Sequence, residues 1–265
     1  MTARPGTVLV GVLRTRGRSI LWWAVAVSAL AAMYTAFYPT IGSTKMAVMM
    51  DSMPPELVEA LGMEAMASAA GYVSATVYAL LGAILTLVCA IGTGARLVAG
   101  EEEDGTLELE LSAPVPRRWV YLERLAALWI TVAAVVLAVT ATLALLSTTL
   151  DLGLDLGNLA AASVSLLVFA GAMGTVALGV GAATGRRAIG LGAASGLAVV
   201  SYLLTYIGPL AELTWMERIS PYSWYIGSTP LLDGLDTGGL ALLVALALAA
   251  TAIGAVPFVR RDLMV

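Results

Sequence analysis

Histidine is absent from this 265-residue chain, cysteine and lysine occur once each, and only 12 % of the residues carry a charge. The missing histidine excludes imidazole acid–base catalysis, haem ligation by histidine and the usual zinc sites. The one cysteine, Cys89, lies in the middle of an apolar stretch, so no disulfide forms within the chain and the residue reads as a small packing side chain. The one lysine, Lys45, is followed by Met46. A phosphate-binding P-loop needs lysine between glycine and Ser or Thr, so any ATP-driven activity must draw on another polypeptide. No basic face suits nucleic acid, and no connection is long enough to form a soluble domain.

What the chain has in abundance is apolar sequence, 60 % of all residues, well above the globular average. Six runs contain no Asp, Glu, Lys or Arg: 19–44, 65–95, 125–150, 156–185, 188–211 and 237–259. Each exceeds the ~20 residues a helix needs to cross a hydrocarbon core. With the N-terminus placed in the cytoplasm, twelve of the fourteen cationic residues fall inside and only Lys45 and Arg218 outside. That asymmetry is what the positive-inside rule demands. The sequence therefore predicts an all-α integral membrane protein, a single transmembrane domain over 1–265 with both termini cytoplasmic. Spans are expected at about 19–38, 71–95, 125–147, 159–183, 188–208 and 238–259. The first run is too long for the apolar core of a cleaved signal peptide and is read as retained. Arginine outnumbers lysine thirteen to one, which points to a GC-rich prokaryotic genome and hence to a prokaryotic plasma membrane.

Between the spans, residues 7–18 place Val8, Leu9, Val12 and Leu13 beside Arg14, Arg16 and Arg18, the pattern of a short basic amphipathic helix in the inner interface. Residues 51–62 read as a short surface helix, with prolines at its start, acids in its first turn and Gly62 at its end. Residues 209–236 are rich in aromatics (Trp215, Tyr222, Trp224, Tyr225), which suits a cap at the outer headgroup layer. Gly181/Gly185 and Gly192/Gly196 have the small-xxx-small spacing of closely packed helices.

No Asp, Glu, Lys, Arg or His lies within the six runs, which counts against a proton-coupled carrier. Their polar groups are hydroxyls. Ser74, Tyr78, Ser201, Tyr202 and Thr205 are the candidates for a substrate pathway, each with the alternative of bonding back to its own helix. The outlier is the loop after the second run. Of the eight acids assigned to the inner side, six fall within residues 101–110, where the positive-inside rule prefers cations. Residues 106–111 alternate as a strand would, yet read as a helix they put Leu107 and Leu111 on one face and Glu101, Asp104 and Glu108 on another. An acidic block in that position suits a protein contact.

That loop, EEEDGTLELELSAPVPRR over residues 101–118, closely resembles the cytoplasmic loop of ABC-2 type transporter permeases. PPELVEALG at 54–62, ISPYSWYIG at 219–227 with Pro230 and 234–236, and FVRRDL at 258–263 resemble further segments of the same family, in the same order. The resemblance implies the membrane subunit of an ABC exporter. It would work as a pair, with a second copy of the chain, above two ABC ATPase subunits that bind the ATP and Mg²⁺; the chain itself would bind no cofactor and catalyse nothing. It further implies that 97–118 is a coupling-helix loop. Its ATPase contacts would be Glu101, Glu102, Glu103, Asp104, Gly105, Thr106, Leu107 and Glu108, with a bend at Gly105 and an end at Pro114 and Pro116. The expected cargo is amphipathic or hydrophobic, such as a drug, an antibiotic or a lipid. An ATP-independent carrier and a non-transporting assembly or sensor subunit are the competing readings.

Overall fold

The structure is a computed structural model, described here for residues 6–52, 68–106 and 116–260. Within those residues it is all helical. Six helical elements are long and apolar enough to cross a membrane: Val8–Thr40, Ala69–Glu103, Arg117–Thr149, Leu156–Thr184, Arg187–Leu210 and Thr237–Arg260. We call them spans one to six. Each contains most or all of the stretch expected from the sequence, and most extend past it into the charged flanks.

Span one belongs to a single helix, Thr7–Asp51, about 67 Å long at 1.5 Å per residue. The expected interfacial helix over 7–18 is therefore not a separate element. Gly17 alone does not break a helix, and the basic segment continues directly into the apolar one. Pro39 lies inside this helix. The surface helix expected over 51–62 lies largely outside the described residues.

Span four is the axis of the bundle. It is the most buried of the six and packs against spans two, three, five and six, while span one lies along span three. Without a hydrophobic driving force between helices in lipid, such packing depends on close backbone approach at small residues. Span four supplies them. A methyl group built on Gly94 of span two would overlap the Gly174 carbonyl oxygen, and one on Gly254 of span six would stand 2.5 Å from Gly179 Cα. The first of the two small-xxx-small pairs is partly used, since Gly181 meets Gly190 of span five. The second is not: Gly192 and Gly196 have no neighbour that a methyl would meet. They lie on an exposed face of span five with Val199 and Leu203.

Span two is built differently from the others. It is a series of short pieces: Ala69–Val73, a π-helical turn Ser74–Tyr78, the helix Leu81–Ala95, a second π turn Arg96–Gly100 and the last turn Glu101–Glu103. At Leu80 the backbone leaves helical geometry (φ −121°, ψ −91°). In hydrocarbon a carbonyl freed by such a break needs a partner inside the protein. The cap segment provides two. Three short helices, Thr214–Ile219, Pro221–Ile226 and Pro230–Asp233, form it, and the middle one turns Tyr222 and Tyr225 inward. Tyr225 donates its hydroxyl to the Tyr78 carbonyl at 2.8 Å, and Tyr222 donates to the Ala79 carbonyl. Burial pushes both phenols well above their usual pKa, so they stay protonated donors. The Tyr225 ring stacks on Phe169 of span four, and the Tyr222 ring meets Phe169 edge-to-face. Two of the four aromatics expected at the headgroup layer are thus core residues, because a break in span two needs their hydroxyls.

Tyr222→Phe and Tyr225→Phe keep the rings and remove the donors. Each is expected to destabilise the protein by about 1–3 kcal/mol, the cost of a buried carbonyl left unpaired. Thermal unfolding in detergent will show this as a lowered midpoint, largest for the double variant.

Candidate functional site: the charged foot of span two

The residues singled out by the sequence fall into two groups at opposite ends of the bundle. At the end that carries the arginines, span two terminates in the acidic block. Its last turn is closed by Asp104 N–H to the Gly100 carbonyl at 3.0 Å and Gly105 N–H to the Glu102 carbonyl at 3.1 Å. Gly105 then takes φ +70°, a left-handed position that glycine occupies without penalty and that commonly ends a helix. The bend expected at Gly105 is there. Thr106 hydrogen-bonds back to the Glu101 carbonyl at 3.2 Å. Leu107, Glu108 and Pro114 lie outside the described residues.

The acids of the block do different work. Glu101, about 20 % exposed, holds two arginines from two other helices: Arg124 of span three on one carboxylate oxygen and Arg16 of span one on the other at 3.4 Å. Arg124 is fully buried. A buried guanidinium is tolerable only when paired and hydrogen-bonded, and Arg124 is both, since it also donates to the Leu97 carbonyl inside the second π turn. Glu103 accepts from the Arg187 backbone N–H at 2.8 Å. It thereby caps span five, whose own N-cap residue, Arg186, offers no side-chain bond. Glu102 is half-buried, while Glu103, Asp104, Gly105 and Thr106 are exposed. The foot of span two is consequently tied to spans one, three and five, and presents its final turn outward.

Next to Arg124, Glu123 performs a second capping. Its two carboxylate oxygens accept from Gly6 N–H at 2.7 Å and Leu9 N–H at 2.9 Å, so an acid of span three satisfies the first turn of the helix that begins at Thr7. Glu123 has no place among the site residues read from the sequence, and Arg124 was only one of the inward cations. The signal was an adjacent acid–base pair at the edge of an apolar run, several residues beyond the Arg117–Arg118 pair that already sufficed for orientation. The uncharged runs themselves are intact. The helices holding them extend far enough to bring Arg16, Glu101, Glu123 and Arg124 together at one end.

The five pathway candidates lie towards the other end, in two clusters. Tyr78 shares a hydrogen bond with Ser163 at 2.9 Å, and Thr140 donates to the same Ser163 at 2.7 Å. Ser74 and Tyr78 also line a tight seam against Ala162, Tyr225 and Leu231. Ser201 and Thr205 instead meet Ser220 of the cap. Ser220 donates to the Ser201 carbonyl at 2.6 Å and shares a 2.7 Å bond with Thr205, while Ser201 bonds back to Ala198. Tyr202 packs between Tyr206, tilted against it, and Tyr222, which it meets edge-to-face. The Ser201 and Thr205 bonds to Ser220 fasten the cap to span five, and the Tyr78–Ser163–Thr140 bonds tie spans two, four and three together, so the candidates form two separate clusters.

A family model described as ABC-2 family transporter protein matches residues 13–263, nearly the whole chain. The chain belongs to the ABC-2 transporter family. No curated protein matches it significantly. For an ABC-2 membrane protein the six spans and the all-helical bundle are as the sequence led one to expect, and the chain is a multi-pass transport component. The charged foot then sits in the segment where the ABC-2 resemblance puts the loop between spans two and three.

Glu123→Ala removes both acceptors for the start of the first helix. The expected cost is about 0.5–2 kcal/mol, as for loss of an N-cap. Hydrogen exchange should show protection lost in residues 6–10 and retained in residues 20–35.

Proposed function

We propose that the chain is the membrane subunit of an ATP-driven exporter, docked through the foot of span two onto an ABC ATPase that supplies the nucleotide chemistry. The observation that carries this reading is the way the foot is wired. One short turn grips spans one, three and five through Glu101 and Glu103, and offers Asp104, Gly105 and Thr106 to the outside. A displacement applied at that turn reaches three helices at once, as a shift through rigid packed elements requires. The basic end is then cytoplasmic, consistent with the distribution of arginine.

In the working complex two copies of the chain stand above two ATPase subunits, which bind ATP and Mg²⁺. The chain resides in a prokaryotic plasma membrane and carries an amphipathic or hydrophobic cargo outward. The apolar face of span five around Gly192 and Gly196, open in a single chain, supports a second copy of the chain. The absence of Asp, Glu, Lys, Arg and His from the six uncharged runs supports an energy source outside this chain over coupling to protons.

Asp104 is exposed and takes part in none of the internal ion pairs described above, so Asp104→Lys tests docking without disturbing the fold. It should weaken association with the co-purifying ATPase about ten-fold, equivalent to 1.4 kcal/mol, and abolish transport-linked ATP hydrolysis with the thermal midpoint unchanged. Unaltered ATPase binding and transport would overturn the docking assignment.

A further inference from the structure

The second π turn of span two, Arg96–Gly100, sits directly above the acidic block and is fully packed: Leu97, Val98, Ala99 and Gly100 are all buried. π turns are rare, widen the helix by one residue per turn, and occur mostly at functional positions. A π turn also lengthens the i→i+4 ladder and opens a carbonyl to a side-chain donor. Here that donor is Arg124, whose guanidinium bonds the Leu97 carbonyl and, in the same fork, the Glu101 carboxylate just below the turn. One buried side chain of span three therefore bridges the interior and the lower edge of the turn. The bridge exists only while Leu97 and Glu101 keep the spacing that the π turn gives them.

We propose that Arg124 is a positioning residue that latches this turn in its π form, and that exchange between π and α geometry at Arg96–Gly100 is the step that passes motion of the foot into the bundle. Returning the turn to α geometry changes the register of everything below it by one residue. That is a rotation of about 100° around the helix axis. Glu101 then swings away from Arg124 and Arg16, and Glu103 away from the start of span five. The latch thus has two discrete positions. Its role in transport rests on the docking reading above, but its existence does not.

The test uses full-length protein in lipid nanodiscs without any ATPase, so failure of the docking reading cannot be confused with failure of the latch. Cys89, buried in span two, is replaced by alanine, and spin labels are placed at Asp104→Cys and Arg186→Cys, both exposed at the basic end. Double electron–electron resonance gives their separation. With Arg124 present a single main distance is expected. Arg124→Met should move that distance by several ångströms, as a register change of this size demands. The variant Arg124→Met/Glu101→Gln removes both charges and leaves no unpaired carboxylate, so it carries the test if the single variant does not fold. If Arg124 acts by holding the turn, the double variant shows the shifted distance too. A double variant with the original distance means that Arg124 only neutralises Glu101, and overturns the proposal. So does an unchanged distance in both variants.

Discussion

A backbone carbonyl that leaves its helical ladder inside a bilayer has no water to turn to, and each such group must find a donor within the protein. Most of this structure follows from how that constraint is met in span two. The span is interrupted twice, at Tyr78–Leu80 and at Arg96–Gly100. Each interruption is answered by a side chain from a remote part of the sequence. Tyr222 and Tyr225 reach back from the cap to the first, and Arg124 reaches across from span three to the second. These long-range bonds do more than close a helix. They decide that the cap folds over the bundle, that two of its aromatics turn inward, and that the only fully buried arginine of the described residues sits beside the acidic block.

The same economy governs the helix ends. Two helices are capped by acids of other helices: Glu123 serves the helix starting at Thr7, and Glu103 serves span five. A cap supplied by another element couples the two elements mechanically, because moving either breaks the bond. The acids at the basic end therefore belong to two classes. Glu101, Glu103 and Glu123 hold helices together. Asp104, with Gly105 and Thr106, faces outward and is the part open to a partner.

How much of this could be read from the sequence depends on the range of the interaction. The six spans were legible because bilayer thickness sets a length and lipid forbids charge, two conditions that each run satisfies locally. The bend at Gly105 came from the resemblance to the ABC-2 loop, and the left-handed φ of +70° agrees with it. The division of labour among the acids was not legible. Nothing near Glu101 in sequence identifies Arg16 or Arg124 as its partners, which lie 85 and 23 positions away. The breaks in span two left only a faint local mark, Gly82, where a methyl would stand 2.5 Å from the Val77 carbonyl oxygen. Residues 71–95 contain no proline, and only the packing of Tyr222 and Tyr225 against Tyr78 and Ala79 reveals why the helix can open there. Similarly, Gly181 and Gly192 carry the same spacing signal, yet one meets span five, and a methyl on the other would meet nothing among the described residues. Periodicity shows which residues can pack closely and is silent on which face receives them.

Between its two interruptions span two is a regular helix, Leu81–Ala95, and near the lower end of that helix it touches span four through Gly94 and Gly174 with no side chain between the backbones. This arrangement has a mechanical consequence. At so close a crossing a rotation of span two would carry a side chain into the Gly174 backbone, so the contact fixes which faces of the two helices meet. The crossing lies immediately above the π turn and the Arg124 bridge. At the opposite end the tyrosine hydroxyls fix the upper part of the span to the cap. A torque applied at Glu101 and Asp104 would thus meet a firm anchor above, a fixed backbone crossing in the middle and a polar latch below. With the helix held above in this way, release of the proposed latch would let the foot turn alone, whereas a closed latch would carry spans one, three and five with it.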